Sequence, residues 1–299
     1  MSLLREFGHI NHDLSRDLDV EERVALILEH NPKAAEEHAR DGKTPLMLAL
    51  CQTGSLKVVQ MLLNVYPHAA KEKDRRGDLP LHWAVFKGAP KEIVEIVLRA
   101  HPDAMKVEGA IGRFPLHLAL TTGATKDVVD LLLTDYPDSV REKDHNGNLP
   151  IYWAMSKGAP KEMIRTMLSI YPDSAEEKDS SGDLLLHSAV LSGASKDIIE
   201  LLLNTYPDAV SKKDHNGNFP LYWVMSKGVS KELVKTILIM HPDAAKERDS
   251  IGDLPLHSAV NGGASKDVIE LLLTSYPDAV RTKDGHGNLP LHLALFQGY

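Results

Sequence analysis

Cysteine is almost missing from this chain of 299 residues, which holds one, Cys51. No intramolecular disulfide framework is possible, a reducing compartment is the fitting one, and a lone free thiol reads as core filler before it reads as a nucleophile. Long apolar runs are missing as well. Nothing approaches the roughly 20 residues needed to span a bilayer. The opening stretch MSLLREFGHINHD has neither the apolar segment nor the small-residue cleavage site of a secretory signal. An excess of positive charge is lacking: 34 lysines and arginines face 42 acidic residues for a formal net charge of -8, so no molecule-wide field draws phosphate backbones or anionic lipid. Neither nucleic acid nor a membrane is expected as a partner, and the expected location is the cytoplasm or the nucleus. Phosphate-cradling glycine loops and the Cys/His spacings of metal sites are lacking too, so no catalytic residue, cofactor or metal is expected.

What the chain does have is repetition. Proline recurs every thirty-fifth position at Pro45, Pro80, Pro115, Pro150, Pro220, Pro255 and Pro290, with Leu185 in the one vacant slot. A second ladder keeps the same step without a gap, from Pro32 and Pro67 to Pro242 and Pro277. One small unit has been copied end to end, and a unit of this size cannot bury its own apolar face, so neighbours must stack. An apolar fraction of 43% beside 25% charged residues supplies enough material for such a core.

Within a unit, Asp144 and Gly147 bracket His145 and Asn146 in a tight turn where glycine supplies the positive φ. Pro150 then opens a helix, since its fixed φ suits the first turn and its missing donor costs nothing there. Ile151, Ala154 and Met155 form one buried stripe, and Gly158 ends the helix. A second helix opens near Pro160, a slot filled elsewhere by Thr125, Ser195, Ser230 or Ser265. Its apolar set in another unit, Val128, Val129, Leu131, Leu132, Leu133 and Tyr136, is too wide for one side and needs neighbours on both. Tyr136 precedes Pro137 and is pushed out of helical geometry, ending the helix before a return loop. Asp19 with Glu22 reads as a capping box that opens a helix over 20–31.

GDLPLHWA at Gly77, GRFPLHLA at Gly112, GDLPLHSA at Gly252, GNLPLHLA at Gly287 and DGKTPLMLA from Asp41 carry a resemblance to the ankyrin repeat. The resemblance covers nearly the whole chain. It implies an all-α fold, a right-handed-type ankyrin solenoid of stacked helix-turn-helix repeats with short, hairpin-like tips. Residues 1–19 are expected to be an N-terminal cap segment and 20–299 an array of about eight units, the last cut after its first helix. That end would leave Leu291, Ala294 and Leu295 partly uncovered unless more chain or a partner covers them. The departures from the family pattern are a period of 35 instead of about 33, return loops such as Tyr206-Pro207-Asp208-Ala209, and loss of the motif threonine everywhere but Thr44. Apolar packing at Leu79, Phe114, Leu149 and their equivalents is expected to replace that hydroxyl.

His82, His117, His187, His257 and His292 share one slot. Successive helices lie about 8–10 Å apart, too far for shared ligands of one metal, and the resemblance makes this histidine structural. A second period of 70 residues joins Trp83, Trp153 and Trp223, and likewise Lys87, Lys157 and Lys227. Trp83 points some 200° from the buried stripe and should be partly exposed. The tryptophans read either as large side chains packed over small neighbours such as Ser188 and Ser258, or as partner contacts. The tip residues His145, His215 and His286 read either as solvated loop or as target contact. The resemblance points to a non-enzymatic scaffold that binds another protein through turn tips and the concave inner-helix face. Expected contacts are Arg75, Arg76, His145, Asn146, His215 and Asn216 at the tips, with the tryptophan and lysine columns. The chain would be a monomer unless its C-terminal end pairs. The competing reading is a regulatory array of a larger enzyme or channel whose functional domain lies outside this chain.

Overall fold

Two kinds of helix alternate in the computed structural model, which describes residues 18–226 and 231–296. The short ones are Pro45–Gln52, Pro80–Phe86, Pro115–Thr122, Pro150–Ser156, Leu185–Leu191, Pro220–Ser226, Pro255–Asn261 and Pro290–Phe296. The longer ones are Val20–His30, Leu56–Val65, Lys91–Ala100, Lys126–Asp135, Lys161–Ile170, Lys196–Thr205, Lys231–Met240 and Lys266–Ser275. Each ladder proline stands first in its short helix, and the residue before it is extended, as at Leu79 with φ -81 and ψ 163. Leu185 opens its helix without a proline, the preceding Leu184 holding the same extended geometry at φ -75 and ψ 158. Asp19 and Glu22 form the expected capping box on Val20–His30. Most of the segment 1–19 assigned as an N-terminal cap lies outside the described residues.

The return segments differ from the loops read in the sequence. Each second-ladder proline opens a short 3-10 helix, such as Pro137–Arg141 or Pro207–Ser211. The residue before it is held near φ -141 and ψ 78 at Tyr136, proline fixes the next φ, and the two residues that close the turn go inward. Ala34 with Ala35 and Ala69 with Ala70 are buried in this way. Three tyrosines lock the segment from outside, Tyr66, Tyr136 and Tyr171 donating to Glu72, Glu142 and Glu177 at 3.0, 2.7 and 3.1 Å.

The chain divides into two compact units, Met1–Trp153 and Ala154–Tyr299. In the first, the short helices Pro45–Gln52, Pro80–Phe86 and Pro115–Thr122 pack in order, and behind them the long helices Val20–His30, Leu56–Val65, Lys91–Ala100 and Lys126–Asp135 do the same. The second repeats the plan, with four short helices from Leu185–Leu191 to Pro290–Phe296 packed in order. Of the wide apolar set expected in Lys126–Asp135 and its end, Val128, Val129, Leu132 and Leu133 are buried and Leu131 and Tyr136 half-buried. Of the residues that stand in place of the motif threonine, Leu79, Phe114, Leu149, Leu184 and Leu254 are buried as well, while Phe219 and Leu289 are half-buried.

Leu132 is 1% exposed in the middle of Lys126–Asp135. Leu132→Ala is expected to lower stability by about 2–5 kcal/mol, read as a fall in the urea midpoint, because stacked helices cannot collapse into the space left behind. A change below about 0.5 kcal/mol would show that this face is not sealed by its neighbours.

Candidate functional site

Every tip begins at one position, and in six of the repeats that position is aspartate: Asp74, Asp144, Asp179, Asp214, Asp249 and Asp284. Its Oδ1 accepts the amides two and four residues on, Arg76 and Asp78 at 2.8 and 3.0 Å from Asp74, Asn146 and Asn148 both at 3.0 Å from Asp144. A carboxylate that satisfies two turn amides holds the loop in one shape. Gly147, with φ 85, then reverses the chain, a conformation that a residue with a Cβ resists.

The second oxygen reaches the short helix. Trp83, Trp153 and Trp223 donate their indole Nε1–H to Oδ2 of Asp74, Asp144 and Asp214, at 3.0, 3.0 and 2.6 Å. In the alternate unit Ser188 makes the same bond to Asp179 at 3.2 Å. Where glycine or alanine takes the aspartate slot, at Gly109 and Ala39, the residue nine positions on is a leucine, Leu118 or Leu48. At Asp284, which faces Leu293, the amide of Asn288 takes the second oxygen instead at 3.3 Å. The tryptophan column is thus tied into its own tip, a role the sequence reading missed, and the nine-residue Asp-to-Trp spacing was the signal for it. The ring faces meet cations from the repeat before: Lys43 Nζ lies 4.3 Å from the Trp83 ring centre and the Arg113 guanidinium 4.8 Å from that of Trp153.

The histidine slot closes the inside of the tip. In His82, Nδ1 accepts the Leu79 amide at 3.1 Å and Nε2–H donates to the Val107 carbonyl of the next repeat at 3.0 Å. His187 and His257 repeat this with Lys212 and Thr282, both at 3.0 Å, and His117 reaches Asn148 at 3.2 Å. A parallel set of bonds joins tip to tip from the residue before the helix cap. Asp78 Oδ1 accepts the Ala110 amide at 2.7 Å, Asp183 Oδ1 that of His215 at 2.8 Å, and Asn218 Oδ1 that of Ser250 at 2.9 Å.

Arg75, Arg76, His145, Asn146, His215 and Asn216 are all exposed on the tips. His215 is the one among them with a side-chain tie, Nδ1 to Asp183 Oδ2 at 2.9 Å, and that bond raises its pKa above the ordinary imidazole value. Trp83, Trp153 and Trp223 are half-buried, Lys87 and Lys157 are exposed past the ends of their short helices, and Lys227 lies outside the described residues. Arg40, Lys43, Arg75 and Arg76 gather around Trp83 in an open pocket of about 480 Å³. Cys51 is half-buried and burial pushes its thiol above the ordinary value, the opposite of an activated nucleophile. Asp253, Asp284 and His286 bring ligand atoms within 4.8 Å of one another, yet Asp284 already spends both oxygens on amides of its own turn.

The family model of ankyrin repeats (3 copies) matches residues 18–108, 81–179, 116–214 and 186–283. Among solved structures, the ankyrin repeat domain of Bcl-3, described as a unique member of the IkappaB protein family, superposes with a TM-score of 0.57 at 25% identity, covering 74% of this chain and 95% of that one. No curated protein sequence matches the chain.

Two outcomes test this arrangement. Trp153→Phe keeps a ring but leaves Asp144 Oδ2 without its donor, so unfolding in urea should show a loss of about 1–3 kcal/mol; a variant as stable as the parent removes the tie. Burial holds the His82 and His187 rings below the ordinary value and brings His117 down to about 4. These rings are neutral when folded and titrate near 6.5 when unfolded, so their stability is complete above that pH and is lost as pH falls from about 6.5 towards 4, by up to about 1.4 kcal/mol per unit for each ring. His215, with its raised pKa, acts in the opposite sense from an exposed position. The urea midpoint should therefore fall between pH 7 and pH 5; a flat or rising profile contradicts the buried, neutral assignment.

Proposed function

This chain belongs to the ankyrin repeat family, and from that membership we propose that it is a non-enzymatic scaffold that binds a partner protein through its turn tips and inner-helix face. The observation that carries the reading is the contrast within each repeat. The chemically loaded groups, the tip aspartates, the slot histidines and the indole N–H groups, are committed to holding the fold, whereas the two crest residues stand exposed at every described tip but the third, where Ala110 is half-buried. A surface of varied exposed residues on a fixed repeating frame suits recognition, not turnover.

The contact set we propose is Arg75, Arg76, His145, Asn146, His215 and Asn216 on the tips. Lys87, Lys157 and Lys227 join them on the short-helix side, with the exposed parts of Trp83, Trp153 and Trp223. The tryptophans serve as a floor whose polar edge is already satisfied, so their share in binding is apolar area and a π face. We place the protein in the cytoplasm or the nucleus, where a thiol such as Cys51 stays reduced, and take the free chain to be a monomer.

Affinity capture with the intact chain and with Asn146→Ala/Asn216→Ala, followed by mass spectrometry, tests the reading. Neither side chain holds the fold, so the thermal midpoint should not change, while at least one enriched protein should be lost from the variant. Identical capture by the two proteins, or no enrichment by either, contradicts the proposal.

A further inference from the structure

The first three tips of the Met1–Trp153 unit are chemically unlike the rest. Arg40 and Arg75 occupy equivalent crest positions one repeat apart, Arg76 follows, and none of the later tips carries lysine or arginine at these two positions. The carboxylates nearby are already used. Asp41 pairs with Lys43 Nζ at 2.8 Å, and Asp74 accepts from two amides and from Trp83. Arg75 and Arg76 make no ion pair with any described residue. In a chain of net charge -8 this leaves a local cationic crest beside an open pocket floored by Trp83.

The third tip adds a different feature. Ile111 sits at φ 65 and ψ 26 and is 63% exposed, the one non-glycine residue with positive φ among those described. A β-branched side chain resists that conformation, so the position is strained. The cause is local. Gly109 stands in the brace slot, where a Cβ would meet Asp78 Oδ1 at 2.3 Å and His82 Cδ2 at 2.5 Å, so no carboxylate holds the amides of this turn. Glycine or asparagine would relieve the strain at position 111, yet isoleucine stands there with its methyls in solvent.

We propose that these three tips form a docking groove for an acidic peptide segment of a partner protein, its carboxylates facing Arg40, Arg75 and Arg76 and one apolar side chain seated against Ile111. The proposal rests on the scaffold reading above and names the partner's chemistry. Guanidinium forks match carboxylates in pairs, and successive tips lie about 10 Å apart, so an extended strand rising about 3.3 Å per residue presents one side chain to each tip every three residues. Cations distributed over two tips suit a series of carboxylates better than a single phosphate.

The test uses the full chain and labelled 12-residue peptides read by fluorescence anisotropy. One carries glutamate at every third position followed by leucine, one has glutamine in place of glutamate, and one has a single phosphoserine. The glutamate peptide should bind, and Arg75→Glu/Arg76→Glu should weaken it by about tenfold or more, as expected for opposed charges at an interface. Arg75→Gln/Arg76→Gln should fall between the two and carries the test should the reversal variant fail to fold. Ile111→Gly should weaken binding by about threefold or more while its thermal midpoint equals or exceeds the parent's, a separation that a purely structural role would not produce. Equal binding of the glutamine peptide, tighter binding of the phosphoserine peptide, no binding of the glutamate peptide, or indifference to the arginine substitutions overturns the inference. None of these touches the scaffold reading, which falls if capture is insensitive to the Asn146 and Asn216 tips or enriches nothing.

Discussion

No pair of helices in this chain can close its own apolar surface, and the other features of the structure follow from that constraint. The long helices carry an apolar face too wide for one partner, as the buried Val128, Val129, Leu132 and Leu133 with the half-buried Leu131 show, spanning about 200° of the helix. Stacking at a fixed step leaves the polar work to the places where repeats join. The slot histidine is the clearest case, accepting the amide of its own helix cap while donating to a carbonyl of the next repeat. A ring used in this way must be neutral and buried, which is why the repeat places an imidazole there and why acid should loosen it.

The tip aspartate performs the corresponding task on the outside. One oxygen satisfies two turn amides and the other reaches across to the short helix, where tryptophan or serine meets it. The pairing is visible within the chain itself, because loss of the carboxylate at Ala39 and Gly109 coincides with leucine at the partner position. At Asp249 the pairing is incomplete: Ser258 makes no such bond and Asp249 Oδ2 is buried without a hydrogen-bond partner among the described residues. Bracing of this kind keeps an exposed loop in a single conformation, which would spare the proposed contact residues such as Asn146 a large ordering cost on binding.

Much of this was legible in advance because the repeat amplifies weak signals. One proline before an apolar run says little, whereas two ladders at a step of 35 fix helix starts, return segments and register together. The histidine column was read as structural for the same reason, whereas the capping box at Asp19 was legible from its local motif alone. The 3-10 helices after each second proline were not, since a Tyr-Pro-Asp-Ala stretch carries loop signals and the inward turn of its alanines is set by tertiary packing. The tryptophans were placed correctly as partly exposed, but their bond to an aspartate nine residues earlier crosses from loop to helix, and periodicity within one helix does not reveal it. Lys43 and Arg113 lie forty residues before the rings they cover, a spacing that gains meaning only once the repeats are stacked.

Together these observations describe a repeat array whose tip aspartates and slot histidines are spent on holding tips in place, so that the crest residues can differ from one repeat to the next. Hydrogen–deuterium exchange on the intact chain tests that claim most directly. The amides of Arg76, Asp78, Asn146 and Asn148, on exposed tips but held by Asp74 and Asp144, should exchange far more slowly than unstructured loop amides, and Asp144→Ala should release the latter two alone. Exchange of these four amides at the unprotected rate in the parent protein would contradict the account.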